Sequence, residues 1–93
     1  MSNIVRAHIF VEGRVQGVAY RAFAYDRATR GGVSGWVQNL TDGRVELEVE
    51  GAQPSIDQFL SALRQGPSLA RVDHIQVEWL TPTGKAERFQ IVG

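Results

Sequence analysis

The sequence predicts an α+β fold in which two helices lie across one face of an antiparallel sheet. Three observations carry that expectation. Apolar and polar residues alternate in several short stretches, apolar residues recur at helical spacing in two others, and these stretches follow one another as strand, helix, strand, strand, helix, strand.

In residues 4–12, Val5, Ala7, Ile9 and Val11 share one parity while Arg6, His8, Phe10 and Glu12 share the other, the pattern of a half-buried strand. A loop with two glycines follows. Tyr20, Phe23, Ala24 and Ala28 then recur at helical spacing, and Gly31-Gly32 supplies the left-handed residue that ends a helix. Residues 33–39, VSGWVQN, read as a second strand, and Leu40-Thr41-Asp42-Gly43 as a hairpin turn. Val45, Leu47 and Val49 alternate with Glu46, Glu48 and Glu50, which predicts one buried and one wet face, with Gly51 as the stop. Pro54 and Ser55 open a second helix, Ser55 as its N-cap and Gln58 placed to complete a capping box. Ile56, Phe59, Leu60 and Leu63 form its apolar stripe, and Gly66-Pro67 closes it. A strand over residues 70–80 sets Ile75, Val77 and Trp79 on one face. After the turn TPTGK, residues 88–92 form a short last strand with Phe89 and Ile91 inward. This order, β-α-β-β-α-β with a short fifth strand, is that of the ferredoxin-like sandwich, occupying residues 1–93 as a single domain.

A chain of 93 residues, 43% hydrophobic and 22% charged, suits one globular domain with an economical core. Ten basic residues cancel ten acidic ones, so no basic field advertises nucleic acid, and any anion site must be built locally. The lack of cysteine removes disulfides, thiolate metal sites and cysteine nucleophiles, and points to a reducing compartment. The start, MSNIVRAHIF, has no charged-then-apolar leader, and no run reaches the ~18–20 apolar residues of a bilayer span. A cytoplasmic protein with neither membrane nor nucleic-acid partner is expected.

Between the first strand and the first helix lies GRVQGVAYR, residues 13–21. Its two glycines can adopt angles closed to other residues, letting successive N–H groups converge into a concavity. The helix start adds free N–H groups and the positive end of its dipole. Arg21, about one turn into the helix, can fold its guanidinium over the loop and grip two phosphate oxygens. Loop and arginine form a phosphate cradle without metal. The segment is neither a Walker loop nor a dinucleotide fingerprint. Taken alone, it also fits a strand-to-helix connector whose glycines only shape the turn.

A second segment, GWVQN, closes a strand on Asn39 just before the Asp-Gly turn. Together, GRVQGVAYR and GWVQNLTDGRVE resemble the two signature segments of the acylphosphatase family, hydrolases of the carboxyl–phosphate anhydride. The proline-led helix, the run GPSLARVDHIQVEW and the closing FQI resemble the family's later features, so the likeness covers nearly the whole chain. The resemblance implies the same sandwich. It also implies Arg21 and Asn39 as catalytic residues, and Gly13, Arg14, Val15, Gln16, Gly17 and Val18 as the phosphate-binding loop. The implied substrate is a small acyl phosphate and the implied product inorganic phosphate, with no cofactor and no metal. Tyr20 stands where the family more often has phenylalanine, and Gln38 where it usually carries a basic residue.

These residue types suit the chemistry. The leaving carboxylate has a conjugate acid about as acidic as a glutamate side chain, so no strong general acid is required. Phosphoryl transfer depends chiefly on positioning and charge stabilisation, which Arg21 and loop N–H groups can supply. Asn39, neutral and both donor and acceptor, can hold a water in line with phosphorus.

Other residues carry plainer readings. His8 and His74 share the polar parity of their strands but lack a third metal ligand, and are read as solvated surface histidines. The glutamates of VELEVE are an exposed strand face, and Trp36 and Trp79 are packing or sheet-face residues. Arg27 and Arg30 serve solubility, and Arg14 serves the loop through its backbone. Nothing calls for an obligate partner, so a monomer is expected. Two other functions compete. An RNA-binding sandwich requires basic, glycine and aromatic residues on a central strand, which VELEVE lacks. A phosphate-pocket domain within a larger carbamoyl phosphate-handling protein shares the motifs, but the short ends beyond the outer strands favour a free-standing enzyme.

Overall fold

The computed structural model describes residues 3–85 and 87–93. Its elements run β1 (Ile4–Arg14), α1 (Tyr20–Gly31), β2 (Ser34–Asn39), β3 (Val45–Ala52), α2 (Gln53–Gln65), β4 (Arg71–Leu80) and β5 (Gln90–Ile91). The strands form one sheet in the order β4-β1-β3-β2-β5. Strand β1 pairs antiparallel with both β3 and β4, and β2 pairs antiparallel with β3. The expected sandwich forms, with one correction: β5 lies parallel to β2, so the sheet is mixed rather than wholly antiparallel. The cause is topological. Strand β4 runs opposite to β2 at the far edge, and the chain must reverse as it crosses to β2, arriving in that strand's own direction.

The core fills the space between helices and sheet. Ala7, Ile9 and Val11 of β1, Val37 of β2, and Val45, Leu47 and Val49 of β3 meet Tyr20, Ala24 and Ala28 of α1 and Ile56, Phe59, Leu60 and Leu63 of α2. The alternation read from the sequence is thus the sheet's buried face. Burying each large apolar side chain contributes about 1.5–3 kcal/mol, the main term holding so small a domain together. Phe23 stays half-buried at the flank of α1, where the Arg27 guanidinium lies 4.9 Å over its ring.

Helix α2 starts earlier than expected. Strand β3 runs through Gly51 to Ala52, which pair with Val5 and Ile4, so Gly51 does not stop it. The helix follows at once with Ala52 as N-cap, no side-chain cap, and Pro54 in its first turn. The Gln53 N–H donates to the Asn3 carbonyl at 2.8 Å. A neighbouring backbone therefore satisfies one of the free donors at the helix start, and Ser55, expected as the cap, lies inside the helix.

The open face of the sheet is more structured than its alternation suggested. Cross-strand pairing brings Arg6 against Glu48 and Glu50, and His8 Nε2 within 2.6 Å of Glu46 Oε2, so His8 is hydrogen-bonded to a carboxylate rather than merely solvated. His74 is exposed. Glu50 is only 4% exposed, because the β4–β5 connection folds over it and donates from Thr83 N–H, Thr83 Oγ1 and Gly84 N–H at 2.8–2.9 Å. Of the expected last strand only Gln90–Ile91 joins the ladder. Phe89 is buried as read, whereas Ile91, expected inward, is 46% exposed. Among the described residues, no helix is long and apolar enough to cross a membrane.

Candidate active site

The end of β1 and the loop after it are shaped by three residues with positive φ. The pairing of β1 with β4 shifts register between Glu12 and Gly13. Gly13 has φ 131°, and a Cβ there would sit 2.2 Å from the Arg71 carbonyl oxygen, so only glycine fits against the neighbouring strand. Gly17 (φ 74°) and Ala19 (φ 63°) turn the chain twice more before α1 begins, with Ala19 as a helix N-cap that offers no side-chain bond. Buried Val15 and Val18 pin the loop to the core between these turns.

Among the described residues, the backbone N–H groups of Gln16, Gly17, Val18 and Ala19 donate to no protein acceptor. Together with the free donors and positive dipole end of α1, they form a concentrated patch of positive potential. A Cβ at Gly17 would meet nothing within 4 Å, so this part of the loop faces open space.

Two side chains reach the same place from elsewhere. Arg21 is the second residue of α1, and its Nη1 donates to the Gly93 carbonyl oxygen. Asn39 ends β2, and its own N–H donates to that same oxygen at 2.9 Å. One carbonyl thereby joins the guanidinium to the end of β2. The Asn39 Oδ1 is buried and accepts no hydrogen bond among the described residues. A buried acceptor without a partner costs on the order of 1–3 kcal/mol, which marks it as an atom kept for something other than folding.

A pocket of about 260 Å³ lies between these groups, lined by Val15, Gln16, Gly17, Ala19, Tyr20, Arg21, Ala22, Asn39 and Ile91. The two sequence segments therefore converge on one cavity. Gly13 and Arg14 do not line it: both belong to the end of β1, opposite Val72 and Arg71 of β4, and Arg14 is exposed. Val18 is buried and does not line it either. The Gln16 carboxamide turns away from the loop to the β2–β3 turn, donating to the carbonyls of Leu40 and Arg44 at 2.8 and 2.9 Å. The Tyr20 hydroxyl donates to the Leu63 carbonyl at 2.7 Å, and burial pushes its pKa up, so the phenol stays neutral. Gln38 lies on the open sheet face, donating to Glu46 Oε1 at 2.7 Å.

Ala19, Ala22, Ile91 and Gly93 were not legible as site residues. No polar group or motif marks them. Ile91 comes to the rim only because β5 crosses the whole sheet to pair with β2.

Comparison with known proteins places the chain in a family. The acylphosphatase family model matches residues 7–91. The chain is 50% identical over 90 residues to an acylphosphatase of Chloroflexus aurantiacus, covering 97% of this chain and 98% of that one. It superimposes on the crystal structure of acylphosphatase from Bacillus subtilis with a TM-score of 0.92 and 36% identity, over 96% of this chain and 99% of that one. It also matches full-length HypF in its phosphate- and nucleotide-bound form, with a TM-score of 0.86 and 30% identity, over 12% of that larger chain. The protein belongs to the acylphosphatase family.

Proposed function

We propose that the loop N–H groups, Arg21 and Asn39 carry out the hydrolysis of acyl phosphates that family membership gives this chain. The phosphoryl group sits in the pocket with its oxygens on the N–H groups of Gln16, Gly17 and Ala19 and at the start of α1. Arg21 lies alongside: a guanidinium has five N–H donors, and the contact with Gly93 uses one nitrogen. The charge of the transferring phosphoryl group is spread over its oxygens, and fixed donors stabilise it without reorganising.

Asn39 Oδ1 accepts a hydrogen bond from the attacking water. The buried, unpartnered state of that oxygen, on a residue that lines the same cavity as Arg21, Gln16, Gly17 and Ala19, is the observation that carries this reading. The water oxygen bonds to phosphorus, the phosphorus–oxygen bond to the acyl group breaks, and its electron pair leaves on the carboxylate. An acyl phosphate dianion and water thus give a carboxylate and dihydrogen phosphate, both water hydrogens ending on the phosphate. The leaving carboxylate is stable at neutral pH and needs no protonation. The cysteine-free composition supports a cytoplasmic site of action.

The test is hydrolysis of acetyl and benzoyl phosphate in buffer with chelator, with inorganic phosphate as competitor and an alkyl phosphate ester as control. Arg21→Ala is expected to lose at least ~10²–10³ in kcat/KM, the scale for one preorganised charge-stabilising donor. Asn39→Ala is expected to reduce kcat while inorganic phosphate still competes as in the native enzyme. Near-full activity of the Arg21 variant, or cleavage of the alkyl ester at a similar rate, contradicts the assignment.

A further inference from the structure

The Gln16 backbone belongs to the loop, but its side chain does something separate. Its Nε2 spans the Leu40 and Arg44 carbonyls, which already close the β2–β3 turn: Leu40 O accepts from Gly43 N–H at 3.2 Å, and Arg44 O accepts from Leu40 N–H at 2.8 Å. A carboxamide nitrogen has two hydrogens, and this one commits both to the turn. Among the described residues, these are the side-chain hydrogen bonds that join the loop directly to that turn. Leu40 is the residue after Asn39. At the tip Thr41, Asp42 and Gly43 are exposed, so core packing does not hold the turn from its outer side.

We propose that Gln16 is a positioning residue: its carboxamide locks the β2–β3 turn to the loop and so fixes Asn39 Oδ1 relative to the loop N–H groups. The inference rests on the roles given above to Asn39 and the loop. In-line attack requires water and phosphoryl group to be held in register, and here they are held by segments distant in sequence, Gln16 being 24 residues from Leu40. A misplacement of about 1 Å between reacting partners costs on the order of 10²-fold in rate. A clamp between the two segments therefore acts on turnover and leaves phosphate binding alone, since the loop N–H groups stay where they are.

A double-mutant cycle tests this. Gln16→Met keeps the length and removes the donors. The expected result is a kcat lower by roughly tenfold or more, with the inhibition constant of inorganic phosphate unchanged. In an Asn39→Ala background the same exchange is expected to cost no further kcat, because Gln16 acts through Asn39. Gln16→Lys restores N–H donors within reach of both carbonyls and should keep more kcat than the methionine variant. Should Gln16→Met fail to fold by circular dichroism, Gln16→Glu, isosteric and without donors, takes its place in the cycle. Equal fractional losses with and without Asn39, weakened phosphate inhibition that accounts for the loss, or native kcat in the donor-less variant overturns the inference alone. Native kcat in Asn39→Ala by itself overturns the assignment of the water to Asn39, and this inference with it.

Discussion

Asn39 and Tyr20 show how the same local question, where a polar atom finds its partner, separates the group proposed to hold water from a structural one. Asn39 Oδ1 has none, whereas the Tyr20 hydroxyl is held by the Leu63 carbonyl in the last turn of α2, where helical carbonyls lack intrahelical donors. The tyrosine in place of the family's more usual phenylalanine thus ties the start of one helix to the end of the other. Tyr20→Phe leaves that carbonyl without its donor and is expected to lower stability by about 1 kcal/mol. For a domain of this size that is a fall of roughly 4–8 °C in Tm, measurable by calorimetry. An unchanged Tm would mean that the hydroxyl contributes nothing net. Gln38 is the other departure, and its bond to Glu46 places its influence on the open sheet face.

The glycines at the end of β1 and in the loop before α1 are needed for different physical reasons. Gly13 is required by close approach to β4, while Gly17 is required by its left-handed backbone beside open space. Gly13→Ala forces a methyl group into the Arg71 and Asp73 backbone, at 2.2 and 2.8 Å, and should destabilise by at least about 2–3 kcal/mol. Gly17→Ala meets no atom, so its folding cost is limited to about 1–2 kcal/mol of backbone strain. Its methyl group, however, stands among the free N–H donors. Chemical denaturation together with phosphate inhibition separates the two: the first variant should mainly lose stability and the second mainly phosphate affinity. The reverse pattern would contradict the division between a packing glycine and a binding glycine.

Across the whole molecule, the open sheet face is held by ion pairs that also fasten the β4–β5 connection. Burial works against an ionised Glu50, yet hydrogen bonds from the Thr83 N–H and hydroxyl, the Gly84 N–H and Arg6 outweigh it and bring its pKa from 4.5 down to about 2. A carboxyl with a depressed folded pKa stabilises fully above its unfolded value and loses that contribution as pH falls through the folded one. The Glu50 contribution is therefore complete above 4.5 and lost on approach to about 2. Glu50→Gln should be less stable at neutral pH and should lose stability less steeply than the native chain across this window, as followed by thermal denaturation. Parallel pH profiles would show that Glu50 does not carry the effect. The connection matters for the site, because it delivers Ile91 to the pocket and Gly93 to Arg21 and Asn39.

Periodicity and glycines determined the element order and most of the buried parities, because spacing along one strand or helix is a local property; the two short motifs pointed to Arg21 and Asn39 through their resemblance to the acylphosphatase family. The sequence could not disclose that Gln16 faces the β2–β3 turn, that Glu50 is buried, that the Asn3 carbonyl accepts from Gln53 at the start of α2, or that β5 runs parallel to β2. Each depends on which distant segment arrives alongside, which is decided by chain reversal and by the competition among buried polar groups for partners. Tertiary structure alone brought two segments, distant in sequence, to one cavity that residues of both line, one carrying free backbone donors and the other a buried acceptor without a partner.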